Sequence, residues 1–280
     1  MSADPKSAPE AEAEPPARLI GQHDPQLLIR VEDAGLNASA PPQQRWMDGW
    51  LVRTNPGKAQ RARCINAVAA GQRPVAEKLA ECAALYRSLG LPVIVRVTPF
   101  TQPAGLDQML RTEGYAYHDD TRVMVMPTLR RERLDIGPPR SGFTWREASA
   151  AEYAEAIGSL RGSPGPVRQA HLERLLASPV PYRGFILERG GRLAACGQYA
   201  QEGDLAGLYD IATAGAEQRQ GHGEWLCKRL LAIAHDETGA RAAYLQVGAD
   251  NASARRLYAR LGFADAYSYH YRMDPAQPAH

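Results

Sequence analysis

Several shortages bound what this chain can be. Its four cysteines, Cys64, Cys82, Cys196 and Cys227, stand far apart with no CxxC pair, so neither a zinc site nor a dithiol redox motif is supported. They read as buried thiols in a reducing compartment, and no metal is expected. No apolar run approaches the ~20 residues of a membrane span, and the amino terminus lacks the apolar stretch of a secretion signal. The expectation is a cytoplasmic protein without a membrane partner. Excess charge is missing too: 33 Lys and Arg stand against 31 Asp and Glu, a net charge of +2. That balance provides no polycationic surface, so nucleic acid is not expected as a partner.

What is present is ample apolar material, 44% hydrophobic residues in a chain of 280, enough for two domains. Residues 1–26, rich in Pro, Ala, Ser and Glu, read as a flexible arm. From Leu27 the texture becomes that of a folded domain over 27–128. There "QLLIRVED" and "WMDGWLVRTN" read as strands, and "RPVAEKLAECAALYRSLG" carries Val75, Leu79, Cys82, Ala83 and Tyr86 at helical spacing. A strand "LPVIVRVTPF", a short helix "AGLDQMLRTEG" and a strand "TRVMVMP" follow, before the polar run 129–142 reads as a linker. The second domain, 143–280, repeats the grammar. It has a strand "FTWREA", helices over 151–161 and 166–177, three strands, a helix over 221–235, a strand "RAAYLQVG", a helix "NASARRLYARLG" and the strand run "FADAYSYHYRM". Both halves end on the same pattern of Gly, strand, loop, helix, Gly-aromatic and strand, a weak internal repeat.

Chemistry concentrates where the strand "LYDIAT" runs through Gln218, Arg219, Gln220, Gly221, His222 and Gly223 into a helix. Such a turn leaves successive backbone N–H groups open at the positive end of a helix dipole, a site suited to a diphosphate. Glycine lets the phosphate approach, because a Cβ would hold it off. The loop is neither GxxxxGK[ST] nor GxGxxG, so the P-loop and dinucleotide patterns are absent. Downstream lie Asn251, Ala254, Leu257, Tyr258, Gly262 and Phe263 in the pattern N-x-x-A-x-x-L-Y-x-x-x-G-F. With these two segments, residues 143–273 resemble the Gcn5-related N-acetyltransferase (GNAT) family. The resemblance implies an α/β (α+β) fold of two GNAT-like domains, each a central mixed, mostly antiparallel sheet flanked by helices. It also implies acetyl-CoA as cosubstrate. Residues Gln218 to Gly223 would then cradle its pyrophosphate, Ile211, Ala212 and Thr213 its pantetheine arm, and Tyr258 would protonate the leaving thiolate. Asn251 reads as a helix N-cap that also touches the cofactor.

An amine acceptor must lose a proton before attack, and the residues name no single base. Asp210 and Glu188, both on strands, are the candidates; His222 lies among the presumed phosphate donors. Tyr267, Tyr269, His270 and Tyr271 read either as lining of an acceptor pocket or as a sheet strand with one buried face. In the repeat, Leu110 stands where the second half has Tyr258 and Pro103 where it has Asn251. The stretch "AVAAGQRPVAEKL" has one glycine and a proline in place of Gly-x-Gly. The first half therefore reads as a degenerate copy that holds no CoA. The function expected is acetyl transfer to a small-molecule amine by a monomer or homodimer. Protein N-acetylation and non-catalytic acyl-CoA sensing remain open as alternatives.

Overall fold

The structure, a computed structural model, describes residues 14–57, 59–134, 137–139 and 141–274. Parts of the expected arm, linker and carboxy-terminal end therefore lie outside the described residues. Asp24 starts the first helix, α1 (Pro25–Ala38), its side chain accepting from the Gln26 amide at 3.0 Å with Pro25 in the first turn. This corrects the strand reading of "QLLIRVED". Leu27, Leu28, Val31, Ala34, Gly35 and Ala38 are buried at helical period, a period that eight residues are too few to display. Nor does the segment before α1 hang free. The Ile20 amide donates to Ala266 O at 2.8 Å and the Ser268 amide to Arg18 O at 2.9 Å.

A hairpin follows, β1 (Gln44–Met47) and β2 (Trp50–Arg53), turned by Asp48 and Gly49 at φ +43° and +82°, the left-handed pair that tight hairpins favour. Then come β3 (Ile65–Ala67), α2 (Val75–Ser88), β4 (Ile94–Val97), α3 (Leu106–Thr112) and β5 (Ala116–Met126). The second half comprises β6 (Phe143–Ala148), α4 (Ala150–Leu160), α5 (Gly165–Leu176), β7 (Tyr182–Arg189), β8 (Arg192–Glu202), β9 (Leu205–Thr213), α6 (His222–Thr238), β10 (Ala242–Gly248), α7 (Ala252–Leu261) and β11 (Ala264–Met273). Among the described residues no helix is long and apolar enough to cross a membrane.

The strands form one 11-stranded mixed sheet in the order β1-β2-β3-β4-β11-β5-β10-β9-β8-β7-β6. The sheets of the two halves are thus joined, and by exchange. β11 runs antiparallel to β4 of the first half, β5 antiparallel to β10 of the second, and β5 and β11 pair with each other. Only β3 with β4 and β9 with β10 are parallel. Alternation along β5 shows how the sheet is covered, since Val123 and Val125 join the cluster under α1 while Met124 and Met126 join the one under α6. α2 and α3 cover the first half; Tyr153 and Ile157 of α4 pack on Ile186 and Cys196.

The exchange is held by buried charge as well as by strand pairing. Asp107 of α3 takes Arg272 Nε at 2.7 Å and lies 2.9 Å from His270 Nε2, both on β11. Burial alone would raise the Asp107 carboxyl, but its bonds to His270 and Arg272 hold it well below the usual carboxylate range. A carboxylate so lowered contributes stability above the unfolded-state value of about 4 and loses it as pH falls toward the folded value. Asp107→Asn is expected to lower stability at pH 7 by roughly 1.5–3 kcal/mol and to flatten the loss of stability between pH 5 and 3. Urea denaturation across that range checks both, and parallel curves for the two proteins would refute the assignment.

Candidate active site

The site begins where two parallel strands part. β9 and β10 pair from Leu205↔Ala242 to Leu208↔Leu245 and no further. Beyond that point β10 stays on β5, with Gln246↔Val123 to Gly248↔Thr121, and β9 stays on β8, with Cys196↔Ala212 and Ala195↔Thr213. Ile211, Ala212 and Thr213 therefore turn one backbone edge to an opening in the sheet. A bulge sets their direction. Gln198 pairs with Tyr209 and Cys196 with Ala212, so Gly197 alone faces Asp210 and Ile211. Asp210 sits at φ +50°. A Cβ on Gly197 would come 2.7 Å from Ile211 Cδ1 and 3.0 Å from Leu226 Cδ2, so a larger residue there would force those side chains to repack.

Past Thr213 a short 3-10 turn, Gly215–Glu217, leads into the loop before α6. Arg219 and Gly221 are left-handed there, at φ +59° and +85°. The first bond into α6 is Trp225 N to Gly221 O at 3.0 Å. Among the described residues the amides of His222, Gly223 and Glu224 have no backbone acceptor, as the first turn of a helix requires. Gln220 Nε2 ties the loop to Ala216 O at 3.1 Å. The His222 imidazole is buried, its ring 4.6 Å from that of Phe143 and its Nε2 3.4 Å from Glu217. What His222 offers a ligand of the loop is its amide.

α7 lies beside this loop. Asn251 caps it, accepting from the Ala254 amide at 3.1 Å. Leu257 approaches so closely that a Cβ on Gly223 would sit 3.2 Å from its Cδ1. Tyr258 packs against the α6 cluster, and among the described residues its hydroxyl has no hydrogen-bond partner. Burial pushes its phenol above the ordinary tyrosine range, so it stays protonated.

From the Asp210 bulge opens a cleft of about 430 Å³, walled by α4 and α5, the sheet, and Asn55 and Arg61 of the first half. The Asp210 carboxylate takes Gln198 Nε2 at 2.8 Å and Arg161 at 2.8 Å, with His171 Nε2 at 3.4 Å. Burial would raise this carboxyl, but His171 and Arg161, with Arg174 nearby, hold it far below the carboxylate range. Glu188 does not line the cleft and lies 3.7 Å from Arg146 near the β6 edge. Tyr267, Tyr269, His270 and Tyr271 do not line it either. Of the two readings of that run, the sheet strand holds, but with both faces buried: the tyrosines lie under α1 and His270 faces Asp107. Arg61, Arg161, His171 and Arg174 line the cleft without having been singled out by sequence. His171 and Arg174 stand one turn apart on α5, but Arg161 ends α4 and Arg61 comes from the first half, so no single spacing marks the set.

Comparison with known proteins agrees with this geometry. Residues 159–263 match the sequence model of the acetyltransferase (GNAT) family. The chain is 27% identical over 233 residues to an uncharacterised N-acetyltransferase, YobR, of Bacillus subtilis (strain 168), across 82% of this chain and 92% of that one. A GCN5-related N-acetyltransferase from Kribbella flavida superposes with a TM-score of 0.65 at 17% identity, covering 88% of this chain and 95% of that one. A tandem GNAT protein from the clavulanic acid biosynthesis pathway gives 0.60 at 14% identity, covering 73% and 70%. Fold and family match together make the chain similar to acyltransferases of the GNAT kind, a family that uses acetyl-CoA as cosubstrate.

The bulge can be tested apart from activity. Gly197→Ala is expected to destabilise by about 1–3 kcal/mol, the usual cost of overpacking. Gly165→Ala, where a Cβ meets nothing within 4 Å, should stay within about 0.5 kcal/mol of the parent. Thermal unfolding compares them, and equal effects would contradict the bulge packing.

Proposed function

We propose that the protein transfers the acetyl group of acetyl-CoA to the amine of a small molecule bound in the Asp210 cleft. One observation carries the reading: the unpaired edge of 211–213 has the open amides of the α6 loop at one end and the cleft at the other. The pantetheine arm lies along Ile211, Ala212 and Thr213. The diphosphate rests on Gln218 to Gly223, where backbone donors and the helix dipole favour it. Asn251 borders the cosubstrate. Enclosure of the cleft by both halves favours a small acceptor over a polypeptide.

The amine lone pair attacks the thioester carbonyl, the oxyanion is met by backbone N–H groups of the open edge, and the C–S bond breaks with the thiolate taking a proton from Tyr258. Asp210, held ionised by Arg161, is a weak base; we assign it to orienting His171. Imidazole is the side-chain group generally suited to accepting a proton near neutrality, and His171 takes the one the amine releases.

We take 143–280 as the catalytic half and 27–128 as a degenerate copy, 129–142 linking them and 1–26 leading in. The amino terminus of α2 supports this. Asp48 accepts from the Gln72 amide at 3.0 Å and the Arg73 amide at 2.9 Å and lies 3.3 Å from Lys78 Nζ. Its own carboxylate thus fills the position a phosphate would need. Pro74 lacks an N–H, and Leu110, in the place of Tyr258, is fully buried. A protein of similar fold is named as a tandem GNAT protein.

The test is thiol release from acetyl-CoA against a panel of amines, followed by Tyr258→Phe. Binding of acetyl-CoA is expected to stay within about twofold while turnover falls 10²–10⁴-fold, the usual worth of general-acid help. Turnover within twofold of the parent, with chemistry rate-limiting, would remove Tyr258 from the acid role. Absence of thiol release with every amine, despite acetyl-CoA binding, would favour a sensing module.

A further inference from the structure

The charge in the cleft is unbalanced in a way the chain as a whole is not. Arg61, Arg161, Arg168 and Arg174 line it, against the single carboxylate of Asp210. Arg161 is matched by Asp210, and Arg168 by Glu155. The other two guanidinium groups have no carboxylate partner among the described residues. Arg61 donates to the neutral Gln246 side chain and lies 5.9 Å from the Tyr209 ring centroid. Arg174, half-buried on α5, makes no hydrogen bond or ion pair among the described residues. Both line the cleft beside the phenols of Tyr182 and Tyr209. The phenols there are already engaged, Tyr182 with Ala38 O at 2.6 Å and Tyr209 with Tyr244 at 2.7 Å, so recognition at this wall falls to the two arginines.

We propose that the acceptor amine also carries an anionic group, a carboxylate or a phosphate, which Arg174 and Arg61 bind while the amine lies toward Asp210 and His171. The amine end rests on the acetyl-transfer reading; the anion site stands on the cleft alone. Unmatched guanidinium groups in a walled cleft are suited to the planar, two-oxygen face that carboxylate and phosphate present. The same positive field disfavours a protonated amine. A simple alkylammonium is therefore repelled, whereas an amine bearing its own anion is held and delivered in the neutral, nucleophilic form. The proton removed leaves with His171 and solvent.

The test is titration calorimetry of the full chain with matched pairs, β-alanine against β-alaninamide and O-phosphoethanolamine against ethanolamine, with thiol release from acetyl-CoA measured in parallel. The member of at least one pair that carries the anionic group is expected to bind 10-fold or more tightly than its partner without it; which pair shows it distinguishes carboxylate from phosphate. Arg174→Gln should abolish the preference and Arg61→Gln reduce it, while Arg192→Gln, exposed on the β7–β8 turn, should leave it unchanged. Members without the anionic group binding as well as those with it, no member with it binding at all, or Arg174→Gln and Arg61→Gln both keeping the preference would overturn the proposal. Thiol release confined to amines that lack an anionic group would reject it and leave acetyl transfer standing. Anionic amines that bind with no thiol released would do the reverse.

Discussion

β9 and β10 share hydrogen bonds only as far as Leu208 and Leu245, and the rest of the site depends on what keeps them apart afterwards. Each strand is committed elsewhere: β9 follows β8 through the bulge, and β10 follows β5. Because β5 belongs to the first half, the exchange of strands at the centre of the sheet also holds the opening in the second. An unpaired backbone edge is costly to keep from water or a partner. An edge held open by pairing on both outer sides is suited to an extended, hydrogen-bonding chain, the role we propose for pantetheine.

In the proposed reading, that arrangement gives the first half a task other than binding cosubstrate. It supplies β5, which sets the position of β10, and Arg61, which lines the cleft. The anion position at α2, meanwhile, is filled by Asp48. A phosphate arriving there would have to displace a carboxylate already bonded to two amides and a lysine. The two loops thus differ in a definite physical way, since one amino terminus is satisfied from within and the other is left open.

How far the sequence reveals this depends on whether the determinants are local. The α6 loop and α7 were legible because their signals lie within a few residues: Gly221 takes a left-handed φ and Asn251 caps its own helix. α1 was misread because "QLLIRVED" is short and its cap, Asp24, lies outside the apolar run. The exchange of β5 and β11 was illegible, since strands of one pattern fit either neighbour equally well by composition. Asp210 was visible as a carboxylate beside the loop. Its ion pairs with Arg161 and His171 were not, because they depend on how α4 and α5 pack. Arg61 and Arg174 meet across more than a hundred residues of chain, a separation no spacing rule bridges.

The most direct measurement is backbone amide hydrogen exchange on the full chain with and without acetyl-CoA. Slowed exchange over 211–213 and 221–224, with residues 72–76 at the head of α2 unchanged, is the result predicted. Equal protection at 72–76, or no protection over 211–224 at saturating acetyl-CoA, would contradict the account.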